Sequence, residues 1–132
     1  MKPVQSIHSD LRDSVLIQFI QKVDKTAKYM ISHCDGAFVL AKTGLLENRA
    51  STTFPVDIEA YKMLYPHLDV RDGVMFVQDG KYITSAGGAK SFEASLYLCE
   101  LLYGKQVADE LASGMVISWD KSSVSHVVIE AI

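Results

Sequence analysis

Apolar positions along the chain change spacing several times, and each change marks an element. In residues 13–23, DSVLIQFIQKV, the residues Val15, Leu16, Phe19, Ile20 and Val23 fall on one face at helical spacing, with Asp13 or Ser14 placed to cap the start. Residues 27–33, AKYMISH, carry the short run Tyr29, Met30, Ile31 and read as a buried strand. Residues 36–43 read as a helix, which Gly44 can stop by taking the left-handed conformation. The β-branched stretch 49–54 reads as a strand. Residues 56–66 read as a helix entered at Pro55 and ended by Pro66. Residues 73–87 read as two strands around Asp79-Gly80, a hairpin signal. Helices follow over 90–104, closed by Gly104, and over 105–115. The tail 125–132 reads as a last strand or a docked arm.

Strands that alternate with helices, with one hairpin inserted, predict an α/β fold. The sheet is mainly parallel and covered by helices on both faces. A length of 132 residues suits one domain spanning 1–132, and 48% apolar residues supply a core. The net charge of −3 comes from scattered acids and bases, so no basic patch points to nucleic acid or an acidic membrane. Runs such as Val74-Met75-Phe76-Val77 are too short to span a bilayer. The opening MKPVQSIHSDL has no apolar h-region, so no signal peptide is expected. Two cysteines, Cys34 and Cys99, lie far apart without metal-ligand spacing, which predicts free thiols in a soluble, reducing, cytoplasmic setting and suggests no metal or organic cofactor.

Cys34 stands at the junction between a strand and a helix, in ISHCDGAFVL. Such a junction lies at the carboxyl edge of a parallel sheet, where ligands collect. The helix start favours a thiolate, and the amides of Asp35 and Gly36 can form an oxyanion or anion site. Gly36 and Ala37 are small enough for a sharp turn like a nucleophile elbow, with Ser32 in place of the usual opening glycine. The other use of a free cysteine is core packing, which is the role expected of Cys99. His33 can pair with Cys34 or orient a substrate, although adjacent strand residues face opposite sides. Asp35 can cap the helix or lend its amide to the site. His8 stands in the loop PVQSIHSDL, and its two readings are a solvated loop histidine and a neighbour of Cys34. Glu93 and the tyrosines Tyr61, Tyr65, Tyr97 and Tyr103 are expected to be structural, the tyrosines packing with surface hydroxyls.

Three segments carry a family resemblance. One is the strand followed by Cys34-x-Gly36-Ala37 and a helix ending Gly44-Leu45-Leu46. The second is Arg49-Ala50-Ser51-Thr52-Thr53, and the third runs from Asp79 through Gly87, DGKYITSAG, into a long helix. Together they resemble the ThiJ/PfpI superfamily, the class I glutamine amidotransferase-like proteins, over roughly residues 10–118. The resemblance implies a flavodoxin-like sandwich, usually dimeric, with Cys34 nucleophilic or redox-reactive. It implies a small-molecule hydrolase, hydratase or amidase-like enzyme. The alternatives are a non-catalytic relative that senses redox or stress, and a fragment needing a partner chain to complete the site. The chain departs from the family in three ways. The first β-α-β portion and the acid that partners the cysteine have no counterpart, so an N-terminally shortened domain is expected. Phe54 stands where some members have histidine. Asp35 follows the cysteine where PfpI-like proteases have histidine, and His33 precedes it. In the family the cysteine strand is paired on both sides. A homodimer or partner chain is therefore expected to cover the flank near residues 27–33 and the helix at 13–23.

Overall fold

The computed structural model describes residues 9–130, so His8 and Ala131-Ile132 lie outside the described residues. Helix α1 (Ser14–Asp24) is capped by Asp13, whose carboxylate accepts from the Leu16 amide at 3.0 Å. Then come β1 (Met30–His33), α2 (Gly36–Lys42), β2 (Ala50–Ser51), α3 (Ile58–Leu64), β3 (Asp69–Val70), β4 (Phe76–Asp79), β5 (Tyr82–Ser85), α4 (Ser91–Tyr103), α5 (Lys105–Gly114) and β6 (His126–Ile129). The main sheet has the order β1-β5-β4-β6 and the second pairs β2 with β3. The pairings β1–β5, β4–β6 and β2–β3 are parallel, and the hairpin β4–β5 is antiparallel, turning through Gly80 at φ +61°. The expected α/β fold with a mostly parallel sheet is present.

All of β5 is buried, and its side chains feed both faces. Tyr82 packs with Phe38, Leu40, Leu46 and Tyr61 under α2 and α3. Ile83 packs with Phe76, Leu96, Tyr97 and Trp119 under α4 and α5. These two clusters are the helical layers that the alternating pattern implied. Two of the tyrosines depart from expectation. Tyr61 is fully buried with its hydroxyl 2.9 Å from Ser51 Oγ, and buried Tyr97 donates to Gln78. Half-buried Tyr65 donates to the Phe38 carbonyl at 3.0 Å, whereas Tyr103 is exposed. A phenol can lie inside when its one polar atom finds a partner there.

The strand expected over 49–54 keeps only Ala50 and Ser51 in the ladder, because the Thr52 amide turns to Thr84 Oγ1 at 2.9 Å. The helix expected from 56 opens with a 3-10 turn (Pro55–Asp57). The tail takes the strand alternative: β6 pairs with β4 at the edge opposite β1. Among the described residues β1 has β5 on one side and no strand on the other. No residue of α1 is buried. Leu16 and Ile20 are half-buried, while Val15 is 76% and Phe19 61% exposed.

Past the end of α5, Val116 adopts φ +58° with its side chain 95% exposed. A β-branched residue there carries left-handed strain of ~1–2 kcal/mol, and no packing offsets it. Val116→Gly is expected to stabilise the chain by about 1 kcal/mol after glycine's entropy is set against that strain. Urea unfolding checks this.

Candidate active site at the end of β1

Strands β1 and β5 run parallel in register, with His33 opposite Ser85, so they end together. The chain leaving β1 turns at Cys34 and the chain leaving β5 turns at Gly87, placing the two turns side by side. Cys34 takes φ +52°, a left-handed value that a residue with a side chain holds only where its surroundings enforce it. Gly87 is the enforcing surface. A Cβ at Gly87 would lie 2.1 Å from Cys34 Sγ and 2.6 Å from its backbone nitrogen, and Gly87 itself has φ +83°. The Gly88 amide donates to Cys34 Sγ at 3.3 Å. A directed N–H places a donor beside any charge that builds up on a substrate. The sulfur is half-buried.

The R-A-x-T-T segment supports the turn from below. Thr53 Oγ1 lies 3.0 Å from the Cys34 carbonyl oxygen and 3.1 Å from Asp35 Oδ1. Asp79 anchors the start of the segment, accepting from the Ala50 amide at 2.8 Å and pairing with Arg49 at 3.3 Å. The Asp79-Gly80 turn and the Arg49–Thr53 stretch are therefore one structural unit, although 30 residues separate their ends.

Asp35 is 2% exposed and stands at the N-cap of α2, but its carboxylate makes no capping bond. Burial first, and then the neighbouring carboxyl of Asp57, push its pKa up to about 7, against a lowering contribution from Thr53. Gly36 opens α2 with room for its backbone beside Ser32. The half-buried His33 ring has Ser95 Oγ on α4 3.4 Å from Nε2, and burial lowers its pKa. Its Nδ1 is buried without a hydrogen-bond partner among the described residues. Its recorded polar contact is with α4 rather than with the thiol. Phe54, half-buried, leads into the 3-10 turn that carries Asp57. Cys99 packs partly buried against the core cluster under α4. Glu93 pairs with Lys90 at 3.0 Å. A mostly apolar cavity of about 540 Å³, lined by Ala89, Lys90, Phe92, Glu93, Met115 and Ile117, begins one residue beyond Gly88.

Sequence reasoning singled out Cys34, Asp35 and Gly36 but passed over Gly87, Gly88, Thr53 and Asp57. The signal for Gly87 and Thr53 lay in the quoted motifs, which converge on the cysteine, and Gly88 directly follows one of them. Asp57 had no local signal. Among the described residues no group of three His, Cys, Asp or Glu side chains is placed to hold a metal, and no helix is long and apolar enough to cross a membrane.

A family model described as the DJ-1/PfpI family matches residues 5–101. The chain is 34% identical over 111 residues to the HTH-type transcriptional regulator CdhR of Pseudomonas aeruginosa, covering 84% of this chain and 33% of that protein. It is 35% identical over 83 residues to Protein DJ-1alpha of Drosophila melanogaster, covering 63% of this chain and 37% of that one. It is 33% identical over 101 residues to an isonitrile hydratase of Pseudomonas putida, covering 74% of this chain and 42% of the relative. The chain thus spans less than half the length of these curated relatives. Its fold matches the crystal structure of Drosophila melanogaster DJ-1beta with a TM-score of 0.75 at 23% identity, over 89% of this chain and 62% of that one.

Proposed function

The chain belongs to the DJ-1/PfpI family, and on that footing we propose that it acts on a small molecule through Cys34, as a cysteine-dependent hydrolase or hydratase-like protein. One observation carries this reading: a cysteine held at a left-handed φ of +52° whose sulfur accepts from the Gly88 backbone N–H at 3.3 Å. In such a step on an amide the Sγ thiolate bonds to the carbonyl carbon and the C=O electrons move onto the oxygen, then return to expel the amine, which carries off the proton the thiol gave up and leaves a thioester. The Gly88 amide, with those of Asp35 and Gly36, stabilises the charge on that oxygen. Water then releases the product and returns the thiol. The isonitrile hydratase relative supports this class of chemistry. The reading needs no metal or organic cofactor. The net charge of −3 fits a domain that does not itself hold nucleic acid, and free thiols fit the cytoplasm.

A panel of small electrophiles, including isonitriles, amides and dicarbonyls, tests it. Cys34→Ser is expected to abolish turnover while the unfolding midpoint stays close to that of the parent, since the two side chains are nearly isosteric. His33→Ala is expected to cost less. Full turnover by the Ser variant would remove Cys34 from the mechanism.

A second reading is a sensing domain in which Cys34 binds a ligand or is oxidised without turnover. The match to a transcriptional regulator over most of this chain but only a third of that protein favours it. Under either reading a second protein surface, in the simplest case another copy of the chain, covers the flank of α1 and β1. A cavity of about 340 Å³ opens there between Ile20, Met30 and Val39. The buried hydroxyl of Ser32 on β1 has no hydrogen-bond partner among the described residues.

A further inference from the structure

Hydrogen-bond accounting beneath the elbow leaves one proton missing. Thr53 has a single hydroxyl hydrogen, yet the Cys34 carbonyl and Asp35 Oδ1 both lie within 3.1 Å of its oxygen. Asp35 Oδ2 is buried and has no N–H or O–H donor among the described residues. The group in hydrogen-bonding contact with Asp35 is the carboxyl of Asp57, from the 3-10 turn. Every atom facing the Thr53 hydroxyl is thus an acceptor. Two ionised carboxylates in contact, with one of them 2% exposed, repel each other with little water to screen them. Neither is occupied elsewhere: Asp35 and Asp57 stand at the N-caps of α2 and α3, and neither side chain makes a capping bond. Among the described residues no Lys, Arg or His forms an ion pair with either. The other ionisable neighbours are Cys34 on the elbow, His33 turned to Ser95, and Glu59 paired with Lys62 at the surface.

We propose that Asp35 and Asp57 share one proton, and that this proton frees the Thr53 hydroxyl to hold the Cys34 carbonyl, so that the pair positions the elbow. The two acids are positioning residues and do not touch the substrate. When the proton lies between the two carboxyls, it supplies the donor that their contact lacks, and the neutralised Asp35 competes less for the Thr53 hydrogen, so Thr53 donates to Cys34. When it leaves for solvent, the Asp35 carboxylate draws the Thr53 hydrogen and the Cys34 carbonyl loses its donor. The pKa of about 7 puts this exchange at neutral pH. The sign follows from a pKa raised above the ordinary 3.8: between roughly pH 4 and 7 the folded chain holds a proton the unfolded chain has lost. The pair's stabilising effect is complete at the acid end of that window and disappears as pH rises through 7.

This inference rests on Cys34 being the reactive thiol only for its kinetic readout. The test combines an infrared difference spectrum between pH 6 and pH 8 with the rate of Cys34 alkylation by iodoacetamide across the same range, in the parent chain, Asp57→Asn and Thr53→Val. The parent is expected to show a carboxylic-acid carbonyl band at pH 6 that is lost by pH 8. Its alkylation rate is expected to rise with pH below the exchange and to flatten through it, as the Cys34 carbonyl loses its donor. Asp57→Asn offers Asp35 an amide donor in place of the shared proton, so the band and the break in the rate both disappear. Thr53→Val keeps the band and loses the break. Absence of the band in the parent overturns the proposal, as does a break that survives in Asp57→Asn or Thr53→Val. If Cys34 proves unreactive, the functional reading fails while the infrared band, and an unfolding free energy that falls from pH 5 to 7, still decide the shared proton. If Asp57→Asn does not fold, the parent spectrum and Thr53→Val decide it.

Discussion

Gly87→Ala is expected to destabilise the chain by about 3–5 kcal/mol and to remove Cys34 from its amide donor. Two costs add. The backbone at Gly87 sits at φ +83°, where a side chain is strained. The added methyl would also lie 2.6 Å from the Cys34 nitrogen and 2.8 Å from its Cα, main-chain atoms that cannot swing aside. Relief requires the two loops to part, which pulls the Gly88 N–H off the sulfur. Gly88→Ala is the internal control. It also has positive φ, +58°, but a Cβ there meets nothing within 4 Å, so only backbone strain of about 1 kcal/mol is expected. Urea unfolding of the two variants separates the effects. Equal losses would show that strain alone, and not contact with the elbow, makes Gly87 necessary.

At micromolar concentration the chain is expected to sediment as a dimer or larger, and Phe19→Lys to dissociate it. Val15, Phe19 and Val23 recur every four residues along α1 and are 76%, 61% and 37% exposed, a continuous apolar stripe beside an unpaired strand edge. An aromatic residue at the centre of an interface contributes ~2 kcal/mol, or ~30-fold in Kd, and counts twice across a twofold axis. One substitution should therefore weaken association by ~10³-fold. Lysine suits an exposed helix position, so the fold should persist. A parent chain that remains a monomer with cooperative unfolding would refute the covered flank.

The parts of this molecule legible in the sequence were those set by local spacing. Asp13 capping α1, Gly44 and Gly104 ending helices, and the Asp79-Gly80 turn each depend on residues within a few positions, and each stands where expected. The Cys34 junction was legible for the same reason. What sequence could not supply was which distant segment presses on the elbow. Gly87 and Gly88 arrive because β1 and β5 are parallel neighbours, and Thr53 because Asp79 ties the preceding residues to the hairpin. Asp35 read equally as a cap or an amide donor. Its carboxyl instead turns inward to Thr53 and Asp57, a choice made by burial that no spacing records. The β-branching of residues 49–54 reads as a short strand over the whole stretch, but the ladder ends at Ser51 once the Thr52 amide is taken by a side chain.

The role of Cys34 rests on its strained turn and the Gly88 amide, and site-resolved alkylation of the native chain tests it most directly. Iodoacetamide is added at substoichiometric amounts at several pH values and the modified residue is read by mass spectrometry. Cys34 is expected to label first at every pH, with Cys99, packed against the core under α4, labelling only on unfolding. Preferential labelling of Cys99 in the folded chain would contradict the assignment of Cys34 as the reactive centre.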